Sequence, residues 1–253
     1  MVTVLKLGGS VITDKDARET VDRAALDRAV AAIADALERG EASGAKALDS
    51  LVVVHGGGSF GHPAAANHDV SATAGTRDSD AVLAIHRAMV ALNDAVVDTL
   101  QERGVPALPV HPLSVAHRSG GDLSVPMAHL ETMLGEGFVP VAHGDVIAHE
   151  GSGATVLSGD ELVVALARGL EAERVGLCSA TPGVLDEDGR VIPAVDAYDE
   201  VAAALGESEA TDVTGGMAGK VQSLLALDTP ASVFALDGLA DFLAGDRPGT
   251  TVR

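Results

Sequence analysis

Three of the four lysines in this chain stand in or beside runs of glycine. In KLGGS (Lys6–Ser10) an ammonium ends an apolar run and two glycines follow it. Lys15 lies a few residues further on, and in TGGMAGK (Thr214–Lys220) another lysine follows clustered glycines. A third run, GGGSFGH (Gly56–His62), ends in an imidazole. Bare backbone N–H groups attract anions, most strongly at a helix N-terminus, and an ammonium adds to that pull. Three such cradles point to a polyphosphate site, where chemistry is mainly positioning and charge neutralisation.

Each motif has a competing reading. Gly56-x-Gly58-x-x-Gly61 has the spacing of a dinucleotide-binding turn, with Asp78 and Asp80 about twenty residues on. Such a turn must open a helix at once. Pro63 and the small, polar residues up to 76 read as a loop instead. GGMAGKV (Gly215–Val221) fails as a P-loop, because Thr214 and Val221 stand where a glycine and a hydroxyl belong. His143-x-Asp145 supplies two side chains, too few for a metal site. A lone histidine such as His62 is more often structural than catalytic.

Composition narrows the partners. The 253 residues carry 37 acidic and 17 basic side chains, a formal net charge of −20. A nucleic-acid binder needs a basic stripe, so DNA, RNA and anionic lipid are poor partners. Only Lys6, Lys15, Lys46 and Lys220 are lysines, against 13 arginines. This balance resembles proteins of a high-salt cytoplasm, where screening relieves carboxylate repulsion. A lysine retained against that bias is a candidate for work that needs a point charge. Hydrophobic residues reach 47% and aromatics 2%, so a full core is built from Val, Leu, Ile and Ala. The single Cys178 excludes a disulfide scaffold or cysteine–zinc cluster. No signal peptide is visible and no apolar run approaches about 18 residues, so a cytoplasmic location is expected.

The elements that must position these groups alternate. Strands are expected at residues 2–7, 51–54, 105–110 (an edge, with Pro106 and Pro109), 138–142, 174–178, 231–236 and 250–252. Helices are expected at 22–39, 80–103, 123–136, 158–171 with Ser158 as N-cap, 196–205, and from TGGMAGK to Asp228. A hairpin joins 146–148 to 154–157, and DEDG (Asp186–Gly189) is a turn. Alternation of this kind gives a mostly parallel sheet covered on both faces. Glycine runs just past strand ends lie where such sheets bind ligands.

KLGGSVITDK, GGGSFGH, HGD (His143–Asp145), SGD (Ser158–Asp160), TDVTGGMAGK and the terminal GTTV (Gly249–Val252) together resemble the amino acid kinase family along nearly the whole chain. Within it, GSFGH with HGD and SGD resembles the branch whose acceptor is isopentenyl phosphate. The resemblance implies a three-layer αβα sandwich over residues 1–253, with an acceptor-binding lobe (about 1–170) and a nucleotide-binding lobe (about 171–253). It implies ATP with Mg²⁺, isopentenyl phosphate as acceptor, and a homodimer. By the same resemblance Lys6 and Lys15 contact the transferring phosphoryl group, and Lys220 with Gly216 holds the nucleotide phosphates, which Gly8, Gly9 and Ser10 cradle. His62 binds the acceptor phosphate, and Gly57, Gly58 and Gly159 line its site. Gly58 and Ser179 also border the nucleotide, while Asp145 and Asp160 orient lysines or magnesium-bound water, or serve as caps.

One departure stands out. Family members commonly carry a TDVDG-like segment by the base pocket, where this chain has SATPG (Ser179–Gly183), which leaves the nucleotide preference open. The stripe Val82, Ile85, Met89 suits a core and, less readily, an apolar acceptor pocket. Other acceptors, such as a phosphonate like fosfomycin, or a non-catalytic nucleotide-binding role are the alternatives.

Overall fold

Parity along the first strand decides which way Lys6 points. In the computed structural model, which describes residues 1–43, 50–202 and 216–253, β1 (Val2–Leu7) lies between two parallel neighbours, β2 (Ser50–His55) and β9 (Arg174–Ser179). A strand buried on both faces reads as a continuous apolar run, and successive side chains alternate between faces. Leu5 and Leu7 join Leu51 and Val53 in one core cluster, whereas Val4 joins Val52, Val54 and Val175 in the other. Lys6 has the parity of Val4, so it faces the second layer of helices.

The first face is covered by α2 (Arg23–Ser43), α4 (Ser79–Glu102) and the Leu239–Ala244 helix, through Leu26, Ile33, Leu92, Val96 and Phe242. The second is covered by α7 (Gly159–Gly169) and the Gly216–Leu225 helix, through Leu162, Val163, Leu166, Val221 and Leu224. Three layers result. The sheet has eight strands in the order β10-β12-β11-β9-β1-β2-β6-β3. Here β3 is Ala107–Val110, β6 Val139–His143, β10 Ala194–Val195, β11 Ala231–Ala235 and β12 Thr250–Val252. Pairing is parallel except between β11 and β12. β3, with Pro109 in it and Pro106 just before it, is an edge as expected. A second sheet, β5-β4-β7-β8, is built from β4 (His117–Ser119), β5 (Asp122–Ser124), β7 (Asp145–His149) and β8 (Gly153–Leu157). Among the described residues no helix is long and apolar enough to cross a membrane.

Several boundaries differ from expectation for local reasons. GGGSFGH does open a helix at once, α3 (Gly58–Asn67), with Pro63 inside it. The argument from a following loop against the dinucleotide reading therefore fails. The expected helix 123–136 splits into β5 and α6 (Ala128–Gly135). Gly120 and Gly121 both take positive φ, 58° and 94°, which closes a tight β4–β5 hairpin. GGS is less a turn than the start of a helical turn, α1 (Gly9–Ile12). Of the helix expected at 196–205, a 3₁₀ turn at Tyr198–Glu200 is seen, and 203–205 fall outside the described residues, as do Lys46, Thr214 and Gly215.

Other signals held. Ser158 caps α7 by accepting from Glu161 N–H at 3.1 Å. DEDG closes a turn, with Asp186 N–H donating to Arg190 O at 2.8 Å. GTTV pins the SATPG segment: the Thr250 hydroxyl donates to Ile192 O at 2.6 Å and accepts from Val184 N–H at 2.8 Å.

Candidate active site

Past the carboxyl ends of β1, β2, β6 and β9 lies a cleft of about 750 Å³. Its floor is two glycine loops set back to back. A Cβ on Gly9 would lie 2.2 Å from Gly58 N, and one on Gly58, at φ +47°, would lie 2.2 Å from Thr13 Oγ1. Neither position has room for a side chain, so bare backbone faces the cleft there. Gly8 N–H is engaged, donating to Cys178 O at 2.8 Å.

The predicted groups converge on this cleft. Lys6, Lys15, His62 and Lys220 line it, as do Gly8, Gly9, Ser10, Gly57, Gly58, Gly159, Ser179, Asp145 and Asp160. Gly216 is not among the lining residues, but its carbonyl accepts from Lys220 Nζ at 3.3 Å.

Asp160 links the two lysines brought from opposite ends of the sequence. Lys6 Nζ lies 2.6 Å from its Oδ1 and Lys220 Nζ 3.9 Å from its Oδ2. The side chains of Lys6 and Asp160 are 7% and 9% exposed, so neither charge could stay buried without the other. Asp160 sits in the first turn of α7, where the helix dipole favours a carboxylate. Gly159 beside it leaves space for the Lys6 stem, since a Cβ there would lie 3.2 Å from Lys6 Cε. Two ammonium groups on one carboxylate leave a net positive charge, which Lys15 and Arg18 on the cleft wall increase and Asp16 and Asp145 partly offset.

Asp145 does something different. It pairs with a histidine rather than a lysine: His86 Nδ1 lies 2.9 Å from Oδ2, and Leu113 and Val146 N–H groups donate to the same carboxylate at 3.3 and 2.8 Å. Its partner belongs to a group of four imidazoles behind the cleft wall. The His143 ring lies 5.5, 6.4 and 5.3 Å from those of His55, His86 and His111. His143 Nδ1 donates to Gly144 O at 2.8 Å, so its Nε2 accepts from His111 Nδ1 at 3.0 Å. Burial pushes His55 down to about 4, against hydrogen bonds to Gly56 O and Asn93 that favour its cation. Burial, with neighbouring imidazoles, also puts His143 well below the usual histidine range. The Asp145 hydrogen bond raises His86. Among the described residues no cluster of His, Cys, Asp and Glu has the arrangement of a metal site.

Part of the wall is apolar, formed by Ile85, Met89, Val156 and Leu157. Ile85 and Met89 are both core residues and cleft lining, whereas Val82 packs in a core cluster off the cleft. Cys178 also borders the cleft, but burial pushes its thiol up to about 12, which keeps it protonated and inert. Sequence reasoning missed Asp16 and Arg18 on the wall, and Thr13 and Ser59 beneath it.

Known proteins share this architecture. Residues 1–227 match the model of the amino acid kinase family. An isopentenyl phosphate kinase of Haloferax volcanii is 60% identical over 253 residues, covering 100% of this chain and 98% of that protein. One from Methanocaldococcus jannaschii is 32% identical over 229 residues, covering 88% and 86% respectively. A crystal structure described as an isopentenyl phosphate kinase superposes over the whole of both chains with a TM-score of 0.84 at 28% identity. On the family match and the whole-length relative alike, this chain belongs to the amino acid kinase family.

Proposed function

We infer that this enzyme transfers the γ-phosphoryl group of ATP to isopentenyl phosphate, giving isopentenyl diphosphate and ADP. The observation that carries this reading is one cleft lined both by the charged group Lys6, Asp160 and Lys220 and by the apolar side chains Ile85 and Met89, with His62 also on its wall. An acceptor that is anionic at one end and a short hydrocarbon at the other matches both kinds of lining. The relatives named isopentenyl phosphate kinase support the same assignment.

In this reading an oxygen of the acceptor phosphate attacks the γ-phosphorus in line. A phosphorus–oxygen bond forms there, the bond to the β–γ bridging oxygen breaks, and ADP leaves with that electron pair. A phosphate is already an anion at neutral pH, so no strong base is required. The obstacle is anion meeting anion, which fixed cations lower. Lys6 and Lys15 neutralise the transferring group, and Lys220, held by Gly216 O, binds the nucleotide phosphates. The backbone of Gly9, Ser10 and Gly58 cradles them, with Gly8 shaping the turn. His62, Gly57 and Gly159 receive the acceptor phosphate. Asp160 holds the lysines apart and oriented. Magnesium would enter with ATP as the MgATP substrate, where it would offset the negative charge of the phosphates.

Residues up to about 170 would then serve the acceptor and those from about 171 the nucleotide, within one domain. The family resemblance supports a homodimer. Purified protein in high salt, given MgATP and isopentenyl phosphate, is expected to release ADP and isopentenyl diphosphate. Absence of turnover across salt concentrations and across ATP, GTP and CTP would overturn the reading.

A further inference from the structure

We propose that Ser59, with Pro63 four residues on, is a positioning residue that seats the Lys15 segment over the cleft. In a regular helix the N–H of residue 63 would donate to the carbonyl of residue 59. Proline has no N–H, and its ring also crowds that carbonyl. The Ser59 carbonyl is thereby released inside α3, and it accepts instead from Glu19 N–H at 3.1 Å.

Every polar group of Ser59 is turned toward the same segment. Its N–H donates to Thr13 Oγ1 at 3.0 Å, and Thr13 in turn donates to Gly9 O at 2.7 Å. Its hydroxyl donates to Thr20 O at 3.3 Å and accepts from Thr20 N–H at 3.4 Å. Thr13 and Val21 form a bridge, and Asp14 N–H donates to Thr20 O at 2.9 Å, which closes residues 14–20 into a loop. Glu19 completes that loop in the left-handed region, φ 49°. Ser59 grips the base of the loop on one side, and Lys15, Asp16 and Arg18 on its outer part line the cleft. Ser59 is also the neighbour of Gly58 in the cleft floor, so the floor and the Lys15 loop move as one piece.

This inference rests on the role given above to Lys15, and a double-mutant cycle separates the two. The kcat and KM of wild type, Lys15→Ala, Ser59→Ala and the double variant are measured with MgATP and isopentenyl phosphate in high salt. Ser59→Ala is expected to lower kcat about tenfold with the KM for MgATP nearly unchanged, and to add less than about twofold on top of Lys15→Ala. Losses that multiply in the double variant would show that Ser59 acts independently of Lys15 and would overturn the proposal. Unchanged kcat in Ser59→Ala would overturn it too. If Lys15→Ala itself retained full kcat, the role of Lys15 would fail first and this proposal with it. Pro63→Ala, which returns a competing donor to the Ser59 carbonyl, runs through the same cycle. It is expected to give a smaller loss of the same coupled kind, and additivity with Lys15→Ala would count against the proposal. Because Pro63→Ala removes no hydrogen-bonding group, it keeps the test alive if Ser59→Ala does not fold.

Discussion

At one end of the cleft two ammonium groups share a single carboxylate, Asp160, on the face of β1 that α7 covers. On the other face of the sheet, against α4, four imidazoles pack beside Asp145 of the cleft lining, and the two innermost rings are neutral. Both groups are buried, yet they meet burial by different chemistry. A lysine gives up its proton only at a large pKa shift, so it enters the interior with a counterion. An imidazole gives up its proton near neutrality and then serves as an uncharged hydrogen-bonding strut. The first arrangement keeps a surplus of positive charge for an incoming anion. The two inner rings of the second hold Gly144 and their neighbours in place without adding charge.

The largest test removes the shared carboxylate. Asp160→Ala leaves Lys6 buried without its carboxylate, which is expected to cost about 3–5 kcal/mol of stability. Denaturant unfolding in high salt measures it, and kcat/KM should fall by at least about a hundredfold as both lysines lose their orientation. An unaltered midpoint would mean that the pair does not stabilise the fold.

The next test is pH. His55 titrates at about 4 when folded and near 6.5 when unfolded. Between those values the unfolded chain holds the extra proton, so stability rises with pH across the window and is lost on acidification. His55 alone contributes up to about 3 kcal/mol at neutral pH by this linkage. His143 acts in the same direction. His86, raised by Asp145, acts oppositely: its contribution is present below about 6.5 and declines as pH rises through its raised value. The melting temperature should therefore fall from pH 7 to pH 5 at constant salt, and His55→Gln should flatten that slope. A slope identical in the variant would remove His55 from the account.

The smallest effect belongs on the surface. Arg28 and Asp237 pair at 2.5 Å with side chains 61% and 88% exposed. Arg28→Ala is expected to change stability by less than about 0.5 kcal/mol, and by less still in high salt. A loss comparable to that of Asp160→Ala would erase the distinction between buried and exposed pairs on which the comparison stands.

Much of this was legible in the sequence. Apolar runs ending in glycine marked β1 and β2, and the scarcity of lysine marked Lys6, Lys15 and Lys220, which the fold brings to one cleft. Partnership was harder to read. The sequence separates Lys6, Asp160 and Lys220 widely, and only the packing of α7 against β1 shows that one carboxylate serves both lysines. Asp145, which sits in the similar triplet HGD, was equally plausible for that role, but its parity on β7 turns it toward His86. Pro63 read as a loop because proline disfavours helix interiors in general. Here a backbone donor from residue 19 takes over the released carbonyl, and the helix continues to Asn67.

The abutting glycines under the cleft carry a consequence for how such a protein can diverge. With Gly9 pressed on Gly58, the cleft floor has no side chain to exchange at these two positions, and a substitution there breaks the seat before it can retune it. New acceptor preferences would have to arise in the lateral walls, at positions such as Ile85, Met89 and Val156. The chemistry would stay constant while the shape of what it acts upon drifts.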